Sequence, residues 1–467
     1  VARPQVAQPP VEQRLRDPEL ARYLTNLKSD LKVLVDFIKE TPLVGAVFGS
    51  ARTPDGTVDA ATSEAIAAAF AGVSLPPITG AGPSIMKFVP DAFRKHRKNT
   101  ELLTHGVNIV LPKEQHRNES IEHGAAMHEF LFRKLALYYP TRAVVVMPGG
   151  FGTMDELFEL WAQRARGQYR AELTAERKEF YDPIIGSLRQ VAWHNRQTIS
   201  PKAWRCLVNT NDVDDIVRSL PHETHVKEAR QPIETLAARF EKDLDDAMLA
   251  LDGVPQATVV LGGRDLRPED PTLAAARETS RLLTEKGKPM RVGNPSAIAR
   301  AVVNGARQAD PQAQVQGLML RGEGRPRENG LKVLAEQTDF IIHKDMLTRH
   351  SNGLLVLPGG LGTMANFFGV LTEIQTHKRA KMPIVLLGND FWKPFFRQIK
   401  NVMLSSERQV ISPEDLDLLV FTDDPKVAAA ALAGEEVPAD CIGHAALDAP
   451  EQPAVLSPAH AMLQEGH

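Results

Sequence analysis

A chain of 467 residues is long enough for two to three domains, each with its own hydrophobic core. A net charge of −3, with 24% of residues charged, provides neither the basic excess of a nucleic-acid binder nor the acidic excess of a disordered tail. The only cysteines, Cys206 and Cys441, stand far apart without metal-ligand spacing, and no apolar run reaches 18 residues. A disulfide framework, a metal site and a membrane span are therefore not expected, and a reducing, cytoplasmic setting is the default.

Residues 1–16, with several prolines and charges, are expected to be disordered. Asp17 reads as an N-cap with Pro18 at the first helical position. Leu20, Tyr23, Leu24, Leu27, Leu31, Leu34, Val35 and Ile38 recur at helical spacing, which predicts an amphipathic helix from Asp17 to Lys39. Leu43 to Phe48 predicts a buried strand, and Gly49, Ser50, Ala51 and Arg52 turn out of it. An alanine-rich helix (Ser63 to Phe70) and a short strand (Leu75 to Thr79) lead to the small-residue run Gly80-Ala81-Gly82-Pro83-Ser84-Ile85-Met86. The basic stretch Arg94 to Lys98 reads as a solvated helix face. Val107 to Leu111 predicts a third strand, followed by Pro112, Glu114, Gln115 and Asn118, and then by a helix that carries Arg133 and Lys134.

Val144, Val145, Val146 and Met147 form an uninterrupted apolar run, as in a strand buried on both faces of a parallel sheet. Pro148, Gly149, Gly150 and Gly152 break it, and a helix begins that Thr153 or Asp155 can cap, with Leu157, Leu160 and Trp161 on its apolar face. A strand, a glycine-rich turn and a helix N-terminus leave unpaired N–H groups pointing outward. Such a place attracts an anion, and glycine lets a phosphate approach the backbone. The pattern lacks the Lys that Walker A requires after its second glycine, so an ATPase is not expected.

The motif PGGxGTxxE over Pro148 to Glu156, together with the upstream Arg133-Lys134 pair, resembles the LONELY GUY (LOG) family. Members of that family hydrolyse nucleoside 5'-monophosphates to a free base and ribose 5-phosphate. The Gly-Ser-x-Arg turn at Gly49 resembles the family's first turn, which lies beside the nucleotide, although Ser50 also reads as a plain turn cap. Gly80 to Met86 resembles the family's GGGPGIM loop with Ala81 and Ser84 substituted, and Pro112 to Asn118 its LPxEQxxN loop. After the PGG helix the family has an apolar strand. Here the stretch from Gln168 to Tyr181 is polar and helix-prone, so the sheet is expected to lack that strand or to take it from elsewhere.

Arg205 to Val208 predicts the next strand, Asp212 to Leu220 a helix and His222 to Gln231 a linker. The pattern then starts again. Ile233 to Leu251 is a second amphipathic helix, Ala257 to Leu261 a strand, and Gly262-Gly263-Arg264 a turn. Pro358 to Met364 restates Pro148 to Met154 at an offset of 210, and Val410-Ile-Ser-Pro restates Thr198-Ile-Ser-Pro at 212. This is a tandem duplication. The expectation is two Rossmann-like α/β domains of LOG type, each a mainly parallel sheet flanked by helices, joined as an intramolecular pseudo-dimer. Residues 17–225 would form the first domain, 226–434 the second, and 435–467 a flexible tail. The helices Asp17 to Lys39 and Ile233 to Leu251 have no obvious place in a minimal domain of this kind, which leaves them open to further homo-oligomerisation.

Counting 210 residues along, Arg133 becomes His343, Glu156 becomes Asn366, and Lys134 remains a lysine, Lys344. The first copy thus looks chemically equipped and the second degenerate. For glycosidic cleavage the resemblance implies Glu156 and Arg133 as the catalytic pair. Gly149, Gly150, Gly152, Thr153, Ser50, Gly80, Gly82, Lys134 and Asp155 would contact phosphate or ribose. Glu156 also reads as a helix N-terminal carboxylate favoured by the dipole, Asp155 as a cap or solvent-facing group, and Lys134 as a surface residue. No metal or cofactor is called for, and the implied partner is a small nucleoside monophosphate, not a nucleic acid or a membrane. Plant-type members take cytokinin riboside monophosphates and bacterial ones ordinary nucleotides such as AMP. The alternatives are a non-catalytic nucleotide-binding sensor or regulatory protein and, with less support, the lysine decarboxylase that the family has been labelled. The last requires a Schiff-base Lys with an acidic partner for the cofactor's ring nitrogen, and the sequence suggests none.

Overall fold

The computed structural model describes residues 9–111, 118–218, 231–264, 266–324 and 329–448. Two seven-stranded sheets, all parallel, account for the two copies. In the first, the strands are β1 (Val44–Phe48), β2 (Pro77–Thr79), β3 (His105–Ile109), β4 (His123–Met127), β5 (Thr141–Val146), β6 (Glu172–Glu176) and β7 (Val208–Thr210). In the second they are β8 (Ala257–Leu261), β9 (Met290–Val292), β10 (Val315–Leu320), β11 (Leu331–Gln337), β12 (Ser351–Val356), β13 (Ile384–Leu387) and β14 (Leu419–Thr422). The first sheet runs β4-β3-β2-β1-β5-β6-β7 and the second β11-β10-β9-β8-β12-β13-β14, one order written twice. In each, the chain builds outward from the central strand and then crosses to its other side. That leaves a crevice between β1 and β5, and between β8 and β12, at the carboxyl ends of the strands.

The apolar runs go where buried parallel strands require them. All five residues of β1 are buried, as are Ala143 to Val146 of β5, and helices cover both faces. The polar segment after the PGG helix is a correction to the sequence reading, because it supplies β6 between β5 and β7. Its central residues Leu173, Thr174 and Ala175 are buried along with Glu176, and pairing along both edges outweighs the polar composition. The strand predicted at Arg205 lies three residues later, at Val208–Thr210, and β4 and β11, rich in small and polar residues, were not foreseen.

The two long helices need no outside partner. Pro18–Glu40 and Ile233–Asp252 pack against each other within the chain, with Lys28 paired to Asp245 at 2.9 Å, while Phe132 meets Phe240 beneath them. Of the two terminal segments, residues 9–16 and 435–448 are described and carry regular structure. A 3-10 turn spans Val11–Gln13, Arg16 is bonded to Asp252, and a helix occupies Gly443–Asp448. The linker predicted from His222 lies outside the described residues up to its last position, Gln231.

The two copies face each other through their PGG helices, Phe151–Ala165 and Leu361–Gln375. Phe158 stacks on its own equivalent, Phe368, with ring centroids 5.2 Å apart and planes 10° from parallel. A residue packed on its counterpart marks a pseudo-twofold axis. Contacts away from the axis are reciprocal. The Gly150 backbone lies under Val410 of the second copy, and Gly360 lies under Thr198 of the first. Thr198 Oγ1 also donates to Gly359 O at 3.0 Å, and one apolar cluster runs through both copies. Among the described residues no helix is long and apolar enough to cross a membrane.

Candidate functional site

In the first copy the crevice beside β1 and β5 collects Ser50, Gly80, Arg133, Gly149, Thr153 and Glu156. Ser50 ends β1, and its N–H donates to Pro148 O at 3.0 Å, locking the first turn to the PGG turn. The hydroxyl of Ser50 accepts from the N–H of Arg52 at 2.8 Å, the bond of a turn cap. The PGG helix starts at Phe151 with Gly150 as N-cap and no side-chain cap, which corrects the expectation that Thr153 or Asp155 would cap it. The amides of its first turn thus have no intrahelical acceptor.

The three motif glycines differ in what surrounds them. A Cβ on Gly149 would collide with the Thr153 hydroxyl, so this glycine lets the turn close on its own helix. One on Gly150 would lie 2.7 Å from Val410 O, so this glycine admits the second copy. At Gly152 a Cβ would be in ordinary van der Waals contact, at 3.7 Å, with the Thr372 methyl carbon of the second copy's PGG helix, so no close contact requires this glycine. Gly80 lets the second loop close against the Arg133 guanidinium, and Gly82 is packed by Met86. The side chain of Asn118 holds this loop by donating to Met86 O at 3.0 Å; Pro112, Glu114 and Gln115 lie outside the described residues. Ala81 and Ser84, which stand where the family's motif has glycine, both adopt left-handed backbone, with φ of 59° and 57°.

Arg133, on the helix Phe130–Tyr138, donates from Nε to Val107 O at 3.2 Å and lies 3.5 Å through Nη1 from Glu156 Oε1. Both side chains are nearly buried. Burial pushes the Glu156 carboxyl up to about 7 against the opposing pull of Arg133. The result is a carboxyl group that changes charge near neutrality, beside an uncapped helix N-terminus and a fixed guanidinium. Such a set can hold an anion and exchange a proton next to it.

Lys134 and Asp155 are turned away from this crevice and towards the second copy. Lys134 Nζ bonds Asp155 at 3.1 Å and Glu159 at 2.7 Å, and Lys344 of the second copy bonds the same two carboxylates. All four groups are buried, so neither the ligand nor the surface reading of Lys134 and Asp155 fits. Helical periodicity explains the difference. Glu156 and Asp155 are adjacent, their side chains diverge by about 100°, and only one of them can face the crevice.

The second copy forms part of the site's wall. Arg52 Nη1 donates to Ser412 Oγ at 3.1 Å, Arg408 Nε lies 3.4 Å from Asp59, and Val410 and Ile411 sit against Gly150. Sequence reasoning missed these residues and Glu159, since only the 212-residue repeat of Ile-Ser-Pro hinted that this loop mattered. The equivalent crevice in the second copy is uncharged at the corresponding positions. His343 Nδ1 is 3.1 Å from Gln337 Oε1, and burial, reinforced by Arg166, pushes the imidazole down to about 4. Asn366 turns its amide back to Gly362 O at 2.9 Å.

Residues 86–220 and 297–432 each match the family model described as possible lysine decarboxylase, one match per copy. No curated protein matches the chain. Among solved structures, the molybdenum cofactor binding protein from the phototrophic bacterium Rippkaea orientalis is similar at 11% identity, over 38% of this chain and 95% of that one, with a TM-score of 0.28. That likeness is too slight to speak to function. The paired sheets, the two PGG turns on a pseudo-twofold axis and the two family matches agree, and the chain belongs to the possible lysine decarboxylase family, the LOG family, with its domain present twice.

Proposed function

We propose that the first copy hydrolyses the N-glycosidic bond of a nucleoside 5'-monophosphate, releasing the base and ribose 5-phosphate. The observation that carries this reading is the Arg133–Glu156 pair beside the uncapped first turn of the PGG helix. The 5'-phosphate would sit on the amides near Gly152 and Thr153, where the helix dipole favours negative charge. Glu156, ionised, would face the anomeric carbon, stabilise the positive charge that develops on the ribose ring, and accept a proton from the attacking water. The departing base takes up a proton, so the overall reaction consumes one water. Arg133 would hold the carboxylate in place and offer its fork to the ribose or phosphate, which a lysine cannot do in the same geometry. The second copy would act as a wall, without chemistry of its own.

A lysine-based mechanism finds no support in the buried lysines. Although burial favours the neutral amine, Asp155 and Glu159 outweigh it and hold Lys134 well above the ordinary lysine range, the opposite of what a Schiff-base nucleophile needs. The test is incubation of the full chain with a panel of nucleoside 5'-monophosphates and the matching nucleosides, with free base measured. Release from a monophosphate, and not from its nucleoside, is the expected result. Tight binding of monophosphates without release would replace this reading with that of a nucleotide sensor.

A further inference from the structure

On the pseudo-twofold axis lies a cluster that the proposed reaction does not use. Lys134 and Lys344 are equivalent positions, 210 residues apart, yet both carboxylates that hold them, Asp155 and Glu159, come from the first copy. The equivalents of these carboxylates are Ala365 and Gly369. Lys344 Nζ reaches Asp155 Oδ1 at 2.9 Å and is also bonded to Glu159, whose other oxygen accepts from Tyr138 OH at 2.7 Å. A Cβ on Gly369 would lie 3.3 Å from both Asp155 Oδ1 and Lys344 Nζ, so the second copy has given up the space for a carboxylate at this point.

The charges therefore balance in only one arrangement. Pairing a first copy with a second brings together two ammonium groups and two carboxylates. Two first copies about the same axis would bury two ammonium groups with four carboxylates, and two second copies would bury two ammonium groups with none. Neighbouring charges do not alter this sum. Arg349 and Arg379 are matched by Asp345 and Glu373 within the second copy, and Arg133 is matched by Glu156 within the first. We infer that this cluster is a pairing code, by which each copy accepts the other as partner and rejects a second copy of itself. A buried charge without a counterion is costly enough to shift an association by ~100-fold or more. The consequence for the site is direct, because only unlike pairing sets the 408–412 loop of the second copy over the PGG turn of the first.

The test begins with the full chain carrying a protease site between Arg218 and Gln231, cleaved after folding, unfolded in urea and re-formed by dilution. Pair types are then counted by native mass spectrometry. The wild type is expected to return unlike pairs in ~100-fold or greater excess over like pairs. A volume-matched neutral version, Lys134→Met, Asp155→Asn, Glu159→Gln and Lys344→Met together, is expected to approach the statistical mixture. A neutral version as selective as the wild type, or a wild type that forms like pairs freely, overturns the inference. Should the cleaved chain fail to re-form, the intact chain decides. Glu159→Gln leaves two ammonium groups with one carboxylate at nearly unchanged volume and is expected to lower the melting temperature, and adding Lys344→Met, which returns the cluster to balance, is expected to recover it. A double variant no more stable than Glu159→Gln alone overturns the charge argument.

Discussion

Arg133 Nη1 stands 3.5 Å from Glu156 Oε1, nearly out of water yet at the outer limit of a charge-assisted hydrogen bond. A pair held this loosely is already positioned but not saturated, and each partner retains bonding capacity for a ligand. If the pair acts on a glycosidic bond, Glu156→Gln and Arg133→Ala should each reduce base release by ~100-fold or more while the folded protein persists. Retention of most of the activity in either variant, at unchanged circular dichroism, would remove the assignment.

The same carboxyl group predicts how activity and stability respond to pH. Because burial pushes Glu156 up to about 7, the ionised form needed to accept a proton accumulates only as pH rises through that value, and base release should climb on a limb centred near 7. Stability should move the other way. The unfolded chain ionises near the ordinary glutamate value of 4.5 and the folded one near 7, so the neutral side chain supports folding below about 4.5 and loses that advantage as pH rises towards 7. The stability of wild type relative to Glu156→Gln should thus fall across that window, by at most ~3 kcal/mol, and level off above it. The difference between the two proteins is the quantity to measure, since Glu176 is also pushed up to about 7 by burial and contributes to both. A difference that stays flat from pH 4.5 to 7.5 contradicts the assignment of the shift to Glu156.

Much of this arrangement was legible in the residues, and the exceptions share one cause. The central strands, the PGG turn and the duplication are local signals: apolar runs of strand length, glycines that break them, and the same punctuation repeated at a nearly constant offset. The strand β6 was not legible because its Glu172, Thr174 and Glu176 read as surface until two neighbouring strands bury them. Lys134 and Asp155 were placed in the crevice because their motif neighbours are there. Lys134 pairs with Asp155 and with Glu159, 25 residues downstream, and both carboxylates also pair with a lysine in the other copy, which a single motif does not encode. The retained lysine at 344 and the loss of a carboxylate at 369 were visible, but their meaning depends on an axis that only the fold supplies.

Ala81 and Ser84 occupy backbone that favours glycine, with Ser84 at φ 57° and ψ −125°. Glycine adopts such a conformation without a Cβ penalty, and relief of strain at one such site is worth ~1 kcal/mol or more. Ser84→Gly should therefore raise the midpoint of chemical denaturation, even though glycine enlarges the conformational freedom of the unfolded chain. A lower midpoint would mean that the loop follows a different path in solution.

In the second copy, His343 Nδ1 faces Gln337 Oε1 and the Asn366 amide nitrogen donates to Gly362 O. Neither carries charge into the first site, so His343→Ala and Asn366→Ala should leave base release within ~2-fold of wild type. Their cost should appear in stability, at ~1–3 kcal/mol for His343→Ala, which opens space in a packed interior. A large loss of turnover from either substitution would assign chemistry to the second crevice.

The last expectation concerns the dependence of the first site on the second copy. Gly150 is close enough to Val410 O that even one methyl group forces the backbone apart, and the same loop carries Ser412, bonded to Arg52 beside the crevice. Gly150→Ala should displace this loop and lower kcat while the two sheets remain folded, because the clash is with backbone that cannot rotate out of the way. Residues 1–225 expressed alone present the extreme case. They would expose Phe151 and Phe158, leave Asp155 and Glu159 with one lysine in place of two, and lack the 408–412 wall altogether. That fragment should be inactive towards monophosphates that the full chain cleaves. Full activity from a monomeric fragment, or from Gly150→Ala, would show that the second copy is dispensable and that the duplicated domain was retained for some reason other than completing the site.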